Sequence, residues 1–168
     1  MRRRDREITD QSHIDDIFNS CTYLHLGLVD GGMPYIVPMN YGVTKDEADG
    51  HYIIYLHGAN EGRKLEVVKA NPKCCITLER NVKAFEGRIA CQYGTAYESI
   101  MGFGDISIID DATEKEKAMR ILMKTQTGRD DFEFNERLLS IVTAYRVDVW
   151  ELSAKQRMMP GEKTGSSF

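Results

Sequence analysis

The chain has no apolar run of roughly 18 or more residues, the length a helix needs to cross a bilayer, and its mean hydropathy is -0.41. A membrane-spanning helix is therefore excluded. Cysteine is scarce: Cys21, Cys74, Cys75 and Cys91 include one vicinal pair and no C-x-x-C, which fits neither a zinc site nor a disulfide framework and suggests reduced thiols. Histidine is equally scarce, and no pair among His13, His25, His51 and His57 has metal-ligand spacing, so no metal is expected. Positive charge is in deficit, with 22 Lys+Arg against 26 Asp+Glu and a net charge of -4. Phosphate backbones attract clustered cations, and the only cluster here is the arm at 2–4, which argues against a nucleic-acid partner. That arm runs straight into acidic residues without the apolar centre of a secretory signal, so a cytoplasmic location is expected. Neither the G-x-x-x-x-G-K-[ST] loop nor a βαβ rhythm is present.

What the chain does contain is a succession of short strands with helices interspersed. Ile14, Ile17, Phe18 and Cys21 form the apolar stripe of a helix starting near 9–12. Strands are predicted over 23–29 and 35–43, joined by Asp30-Gly31-Gly32. Pro34 and Pro38 remove donors from the second, which must lie at an edge or face a ligand. A turn at 44–50 leads to a strand at 51–57, and a helix from about 61 stops at Asn71-Pro72. A strand follows at 74–79. The stretch 89–109, broken by Gly94, Gly102 and Gly104, reads as two strands or one strongly bent strand. Capping-box spacings at Asp111/Glu114 and Thr113/Glu116 open an amphipathic helix. A short helix is expected over 132–139 and a last strand over 141–152, with Tyr145, Val147 and Val149 on one face and Trp150 and Leu152 on the other. The pattern predicts one α+β domain over 1–155, built on a small antiparallel barrel with peripheral helices, and a polar, flexible tail over 156–168.

Two segments carry chemistry. His57-Gly-Ala-Asn-Glu-Gly-Arg-Lys64 is a strand end, a turn and a helix start. Unpaired N–H groups and the positive end of the dipole there suit an anion, with Arg63 as a fork and Lys64 as a point charge, although a solvated helix end has the same residues. Pro34-Tyr-Ile-Val-Pro-Met-Asn-Tyr-Gly42 offers free backbone groups and apolar faces to a planar ligand, or is an ordinary edge strand. His57 serves either as a proton donor to substrate or as a hydrogen-bonded strand residue.

The ordered set Met1-Arg-Arg-x-Asp5-Arg-Glu7, Pro34-Tyr-x-x-Pro-x-Asn-Tyr-Gly42, Tyr55-x-His57-Gly-Ala-x-x-Gly62-x-Lys64 and Tyr97-x-Ser99-x-x-Gly102-Phe-Gly104 resembles the pyridoxamine 5′-phosphate oxidase-related, FMN-binding split-barrel family, most of all its Nim-type 5-nitroimidazole-resistance members. The resemblance implies a homodimer of six-stranded split barrels with FMN at the subunit interface. It places Gly62, Arg63 and Lys64 at the FMN phosphate, Val37, Pro38, Met39 and Asn40 along the ring, and His57 and Gly58 beside it. It brings Ser99 towards the flavin, with Trp150 walling the pocket. The implied activity is an FMN-dependent oxidoreductase passing NAD(P)H-derived electrons to small molecules such as nitroimidazoles. The alternatives are a non-catalytic FMN-binding or redox-sensing module, or a split barrel that binds haem or a deazaflavin.

Two departures stand out. Glu98 occupies a position where many relatives carry arginine. The C-terminal Arg-x-His of true pyridoxamine 5′-phosphate oxidases has no counterpart, since the last histidine is His57, and vitamin B6 oxidation is disfavoured.

Overall fold

The structure, a computed structural model, describes residues 3–161. Met1, Arg2 and the end of the predicted tail, 162–168, lie outside the described residues. Eight strands form one antiparallel sheet: β1 (Glu7–Ile8), β2 (Leu24–Asp30), β3 (Met33–Met39), β4 (Tyr41–Lys45), β5 (Tyr52–Ala59), β6 (Lys73–Phe85), β7 (Gly94–Ile109) and β8 (Val142–Arg157). Their order is β3-β2-β6-β7-β8-β5-β4, with β1 added beside β8. The two ends of this path, β3 and β4, adjoin in sequence at Asn40 but are not paired, so the barrel is split. The helices α1 (Gln11–Ser20), α2 (Arg63–Ala70), α3 (Ala112–Thr127) and α4 (Glu136–Ser140) lie on its periphery.

Six strands become eight for two reasons. The strand predicted over 35–43 breaks at Asn40, whose amide donates to Thr22 O at 2.9 Å and to Gln126 Oε1 at 3.3 Å. The added strand, Glu7–Ile8, pairs with Lys155 and Ala154. β8 itself continues through Gln156 and Arg157, paired to Glu98 and Tyr97, so the first two residues of the predicted tail are strand.

Local chemistry explains most element ends. The β2–β3 hairpin closes through Gly31 and Gly32, at φ 56° and 87°, the two positive angles a tight turn of this hand requires. β3 lies at the sheet edge, where Pro34 and Pro38 cost no ladder bonds. Asp10 caps α1 by accepting from Ser12 N at 3.2 Å, and Ile14, Ile17 and Phe18 are buried beneath it. Asp111 caps α3 by accepting from Glu114 N at 2.8 Å, and Gly128 ends that helix at φ 71°. The helix predicted over 132–139 is shorter and later. Arg120 donates to Phe132 O at 2.8 Å and lies over the Phe134 ring, engaging this non-helical segment before Asn135 caps α4.

α3 covers the free edge of β4: Thr125 Oγ1 accepts from Val43 N at 3.1 Å, and Gln126 donates to Tyr41 O at 2.8 Å. Two bulges shape the long strands. In β6, Asn81 at φ 54° begins a register shift that pushes Val82 outward. In β8, Trp150 is the unpaired residue, because Phe103 faces Glu151 while Gly104 faces Val149. The expectation that Trp150 and Leu152 share a face fails here. After the bulge the alternation inverts, so Leu152 and Ala154 turn to the core and Trp150 stays 58% exposed.

Glu98 is on the face of β7 that also carries buried Ile100, opposite Tyr97 and Ser99. Its carboxylate accepts from His13 Nε2 at 2.6 Å, from Asn81 at 2.9 Å and from Arg80, and Arg80 in turn donates to Asp16 O and Ser20 Oγ on α1. The reversed charge at this position therefore staples α1 to the sheet. Burial opposes ionisation of Glu98, but the hydrogen bonds from Arg80 and His13 and their charges outweigh it, and the pKa is lowered. A carboxylate held below its ordinary value, about 4.3, stabilises the fold above that pH and loses its contribution as pH falls through the lowered pKa. Glu98→Gln is expected to cost about 2 kcal/mol at pH 7 and to flatten the acid limb of stability. Denaturant melts at pH 7 and pH 4 check this, and parallel losses in both proteins would contradict it.

Candidate functional site

The open end of the barrel gathers α2, the β2–β3 hairpin, β5 and β8. Gly62 stands at the N-cap of α2 with φ 115°, a conformation reserved for glycine, and no side chain caps the helix. The first N–H groups of a helix have no internal partner, so this start is available to an anion. Arg63 is exposed, its Nε donating to Asp30 Oδ2 at 2.7 Å and its guanidinium lying 4.9 Å from the Tyr35 ring centroid. Its terminal nitrogens have no partner among the described residues.

Lys64 is half-buried. Its Nζ lies 3.4 Å from Met39 Sδ and 5.5 Å from the Tyr145 ring centroid, with no carboxylate in reach among the described residues. Burial lowers its pKa. Gly58 makes this position possible: a Cβ there would come within 2.7 Å of Nζ. Beneath the ammonium, Tyr145 is fully buried, and its hydroxyl has no hydrogen-bond partner among the described residues. Burial, and then Tyr35, raises the pKa of that phenol.

His57 pairs with Ala144, and Leu56 with Tyr145. Alternation sends the imidazole to the face of β5 opposite Gly58 and the Lys64 ammonium. It is half-buried, and its Nδ1 is buried without a partner among the described residues. Burial, and then the nearby Lys64 charge, lowers its pKa, so the ring is neutral at pH 7. The other imidazoles have different surroundings: His13 bonds Glu98, His51 bridges Asp49 and Asp148, and His25 packs edge-on against Tyr23. The turn also brings Asp46, Asp49 and His51 within 4.8 Å of one another, but His51 is already bonded to two carboxylates.

The predicted residues thus fall into two groups. Met39, Gly58 and Lys64 touch, Arg63 joins them through Tyr35 on β3, and Val37 and Pro38 lie on that same edge strand. Asn40 is different, its amide nitrogen being engaged at the β3–β4 break. Ser99 and Trp150 lie elsewhere in the chain. Ser99 lines a groove of about 460 Å³ on the outer sheet face with Thr77, Tyr97, Met101 and Lys155, and Trp150 stacks on Phe103 with centroids 5.9 Å apart. Sequence reasoning missed Asp30 and Tyr35 as partners of Arg63 and Tyr145 as the floor under Lys64, because only the barrel topology brings them together. The alternation of Leu56 and Gly58 on β5 was the one local signal that something must pack over the glycine.

The family model described as pyridoxamine 5′-phosphate oxidase matches residues 10–156, and the chain belongs to that family. Solved structures agree. A proposed 5-nitroimidazole antibiotic resistance protein from Bacteroides thetaiotaomicron is 31% identical, with a TM-score of 0.76 over 89% of this chain and 86% of that one. The flavocytochrome Anf3 of Azotobacter vinelandii is 19% identical, with a TM-score of 0.77 over 98% of this chain and 75% of that one. An FAD and heme binding protein of Mycobacterium smegmatis is 15% identical, with a TM-score of 0.78 over 95% and 77%. At such identities the last two establish the fold alone. No curated protein matches the sequence.

Proposed function

We propose that this chain is an FMN-binding oxidoreductase that reduces small molecules, nitroimidazoles among them, and works as a homodimer in the cytoplasm. The observation that carries the reading is the Lys64 ammonium, lodged at an uncapped helix start against a thioether and a ring and without a carboxylate partner among the described residues. The residues fit a terminal phosphate: Arg63 and Lys64 are adjacent at an uncapped helix start, and Gly58 leaves room for the ammonium, which favours the concentrated charge of FMN. Haem finds less support, since His13 and His51 are bonded to carboxylates and the His57 ring lies on the face of β5 opposite the Lys64 ammonium.

Bound flavin supplies the chemistry of accepting a hydride from a nicotinamide and passing electrons to a nitro group. The chain's own residues bind, orient and manage protons. Arg63 and Lys64 would hold the phosphate, and the edge strand β3 from Val37 to Met39 would line the ring. A phosphate on Lys64 relieves only the smaller, charge-based part of the lowering at His57, and the imidazole, on the opposite face of β5, would deliver a proton to a substrate oxygen that reaches that face.

The dimer reading is supported by exposed apolar side chains on the outer face of the sheet. Cross-strand pairing aligns Ile36, Gly27, Cys75, Phe103 and Glu151 over five strands, flanked by Met101 and Trp150. Exposed Ile36, Met101, Phe103 and Trp150 on this face suit an interaction surface. A second copy there carries its Ser99 and Trp150 towards its partner's flavin. Sedimentation at the mass of two chains checks the pairing. The four thiols are unbridged, in keeping with a reducing compartment.

The test is anaerobic. NAD(P)H should bleach the flavin and a nitroimidazole should restore its colour. His57→Ala is expected to slow that reoxidation by about 100-fold, within the range of general acid catalysis, at unchanged FMN affinity. Flavin that binds but is not bleached would instead favour a binding or sensing module.

A further inference from the structure

The hydroxyl of Tyr145 is an anomaly. Its residue is fully buried on the inner face of β8, paired across the sheet to Leu56 and Ile108, yet its oxygen has no hydrogen-bond partner among the described residues. Two other buried core tyrosines are satisfied: Tyr41 donates to Phe18 O at 2.5 Å and Tyr52 to Asp15 Oδ1 at 2.6 Å. A buried hydroxyl left unpaired costs about 1–3 kcal/mol, and phenylalanine would fill the same space without that cost. The ring that carries this orphan oxygen adjoins the candidate anion site. Its ring lies under the Lys64 ammonium at 5.5 Å, its Cε2 is 3.6 Å from where a Gly58 Cβ would stand, and Tyr35, which carries Arg63, is its electrostatic neighbour.

We propose that Tyr145 is a phosphate-binding residue, donating its hydroxyl from the floor of the site to the anionic group that Lys64 and Arg63 hold from above. The inference rests on the flavin reading and adds a residue to it. It also gives the apo protein a cost at this position that ligand removes. The Lys64 ammonium and the tyrosine hydroxyl are then both satisfied by the same oxygen atoms, and the strand-borne hydroxyl discriminates in favour of a phosphorylated flavin over riboflavin.

The experiment compares wild type with Tyr145→Phe in two measurements: thermal melting without ligand, and titration with FMN and with riboflavin. The expected result has opposite signs. The apo variant melts at the same temperature as wild type or higher, because an unpaired polar group is gone. FMN binds about tenfold more weakly, as loss of a hydrogen bond to a charged group requires, and riboflavin affinity is unchanged. Unchanged FMN affinity in the variant overturns the proposal, as does an equal loss for FMN and riboflavin. A lower melting temperature for the apo variant also overturns it, by showing the hydroxyl to be satisfied already. Wild type that binds neither flavin defeats the functional reading itself. Wild type that binds FMN and loses it on Lys64→Ala, with Tyr145→Phe unaffected, defeats only this inference.

Discussion

Alanine at both Arg63 and Lys64 is expected to weaken FMN binding by on the order of 2–5 kcal/mol, roughly 30-fold to several thousandfold in Kd, in a protein that remains folded. The two residues contribute unequally. Arg63 is 64% exposed and already shares its Nε with Asp30, so solvent and a competing carboxylate moderate its pull on a phosphate. Lys64 is half-buried and has no ion-pair partner among the described residues, so a phosphate meeting it forms a charge pair screened little by water. Most of the loss should therefore appear in Lys64→Ala alone. Its removal also takes an unpaired charge from a partly desolvated place, so the apo protein should not be weakened. Isothermal titration of the single and double variants gives the partition, and FMN affinity that survives both substitutions removes the phosphate assignment.

Gly42→Ala is expected to have the largest effect on stability. A Cβ at this position would lie 2.5 Å from both the Cα and the N of Leu122 and 2.8 Å from Ile121 C. These are backbone atoms of α3, and no rotamer change can move them aside. The helix must shift away from β4, straining the bonds from Val43 N to Thr125 and from Gln126 to Tyr41 O that close the edge of the sheet. Overpacking of this kind costs about 3 kcal/mol, or a drop in Tm of about 6–12 °C for a chain of this size. The same methyl at Gly27 meets only ordinary contacts within the chain, 3.4 Å from Cys75 O. A loss below about 1 kcal/mol at Gly42 would show that α3 is not seated as described.

Much of this molecule is legible wherever the physics is local. The paired glycines after Asp30, the Asp111 cap, the stripe from Ile14 to Phe18 and the prolines that assign β3 to an edge each depend on a few neighbouring residues. What escapes the sequence depends on distant partners. Asn40 breaks a strand because Thr22 and Gln126 take up its amide, and the bulge at Trp150 arises where β7 and β8 fall out of step beside Gly104. The site divides in the same way. A helix start with Arg63 and Lys64 announces an anion by its own chemistry, whereas Asp30, Tyr35 and Tyr145 reach it only through the barrel's closure. Glu98 looks anomalous when compared with relatives and becomes intelligible once alternation is seen to turn it towards His13 and Arg80, away from Ser99.

The most direct measurement is the visible absorption spectrum of the purified full-length protein after addition of FMN and gel filtration. The account predicts a yellow protein that retains one flavin per chain, with absorption bands shifted from those of free FMN. A colourless protein that leaves the spectrum of added FMN unchanged would contradict it.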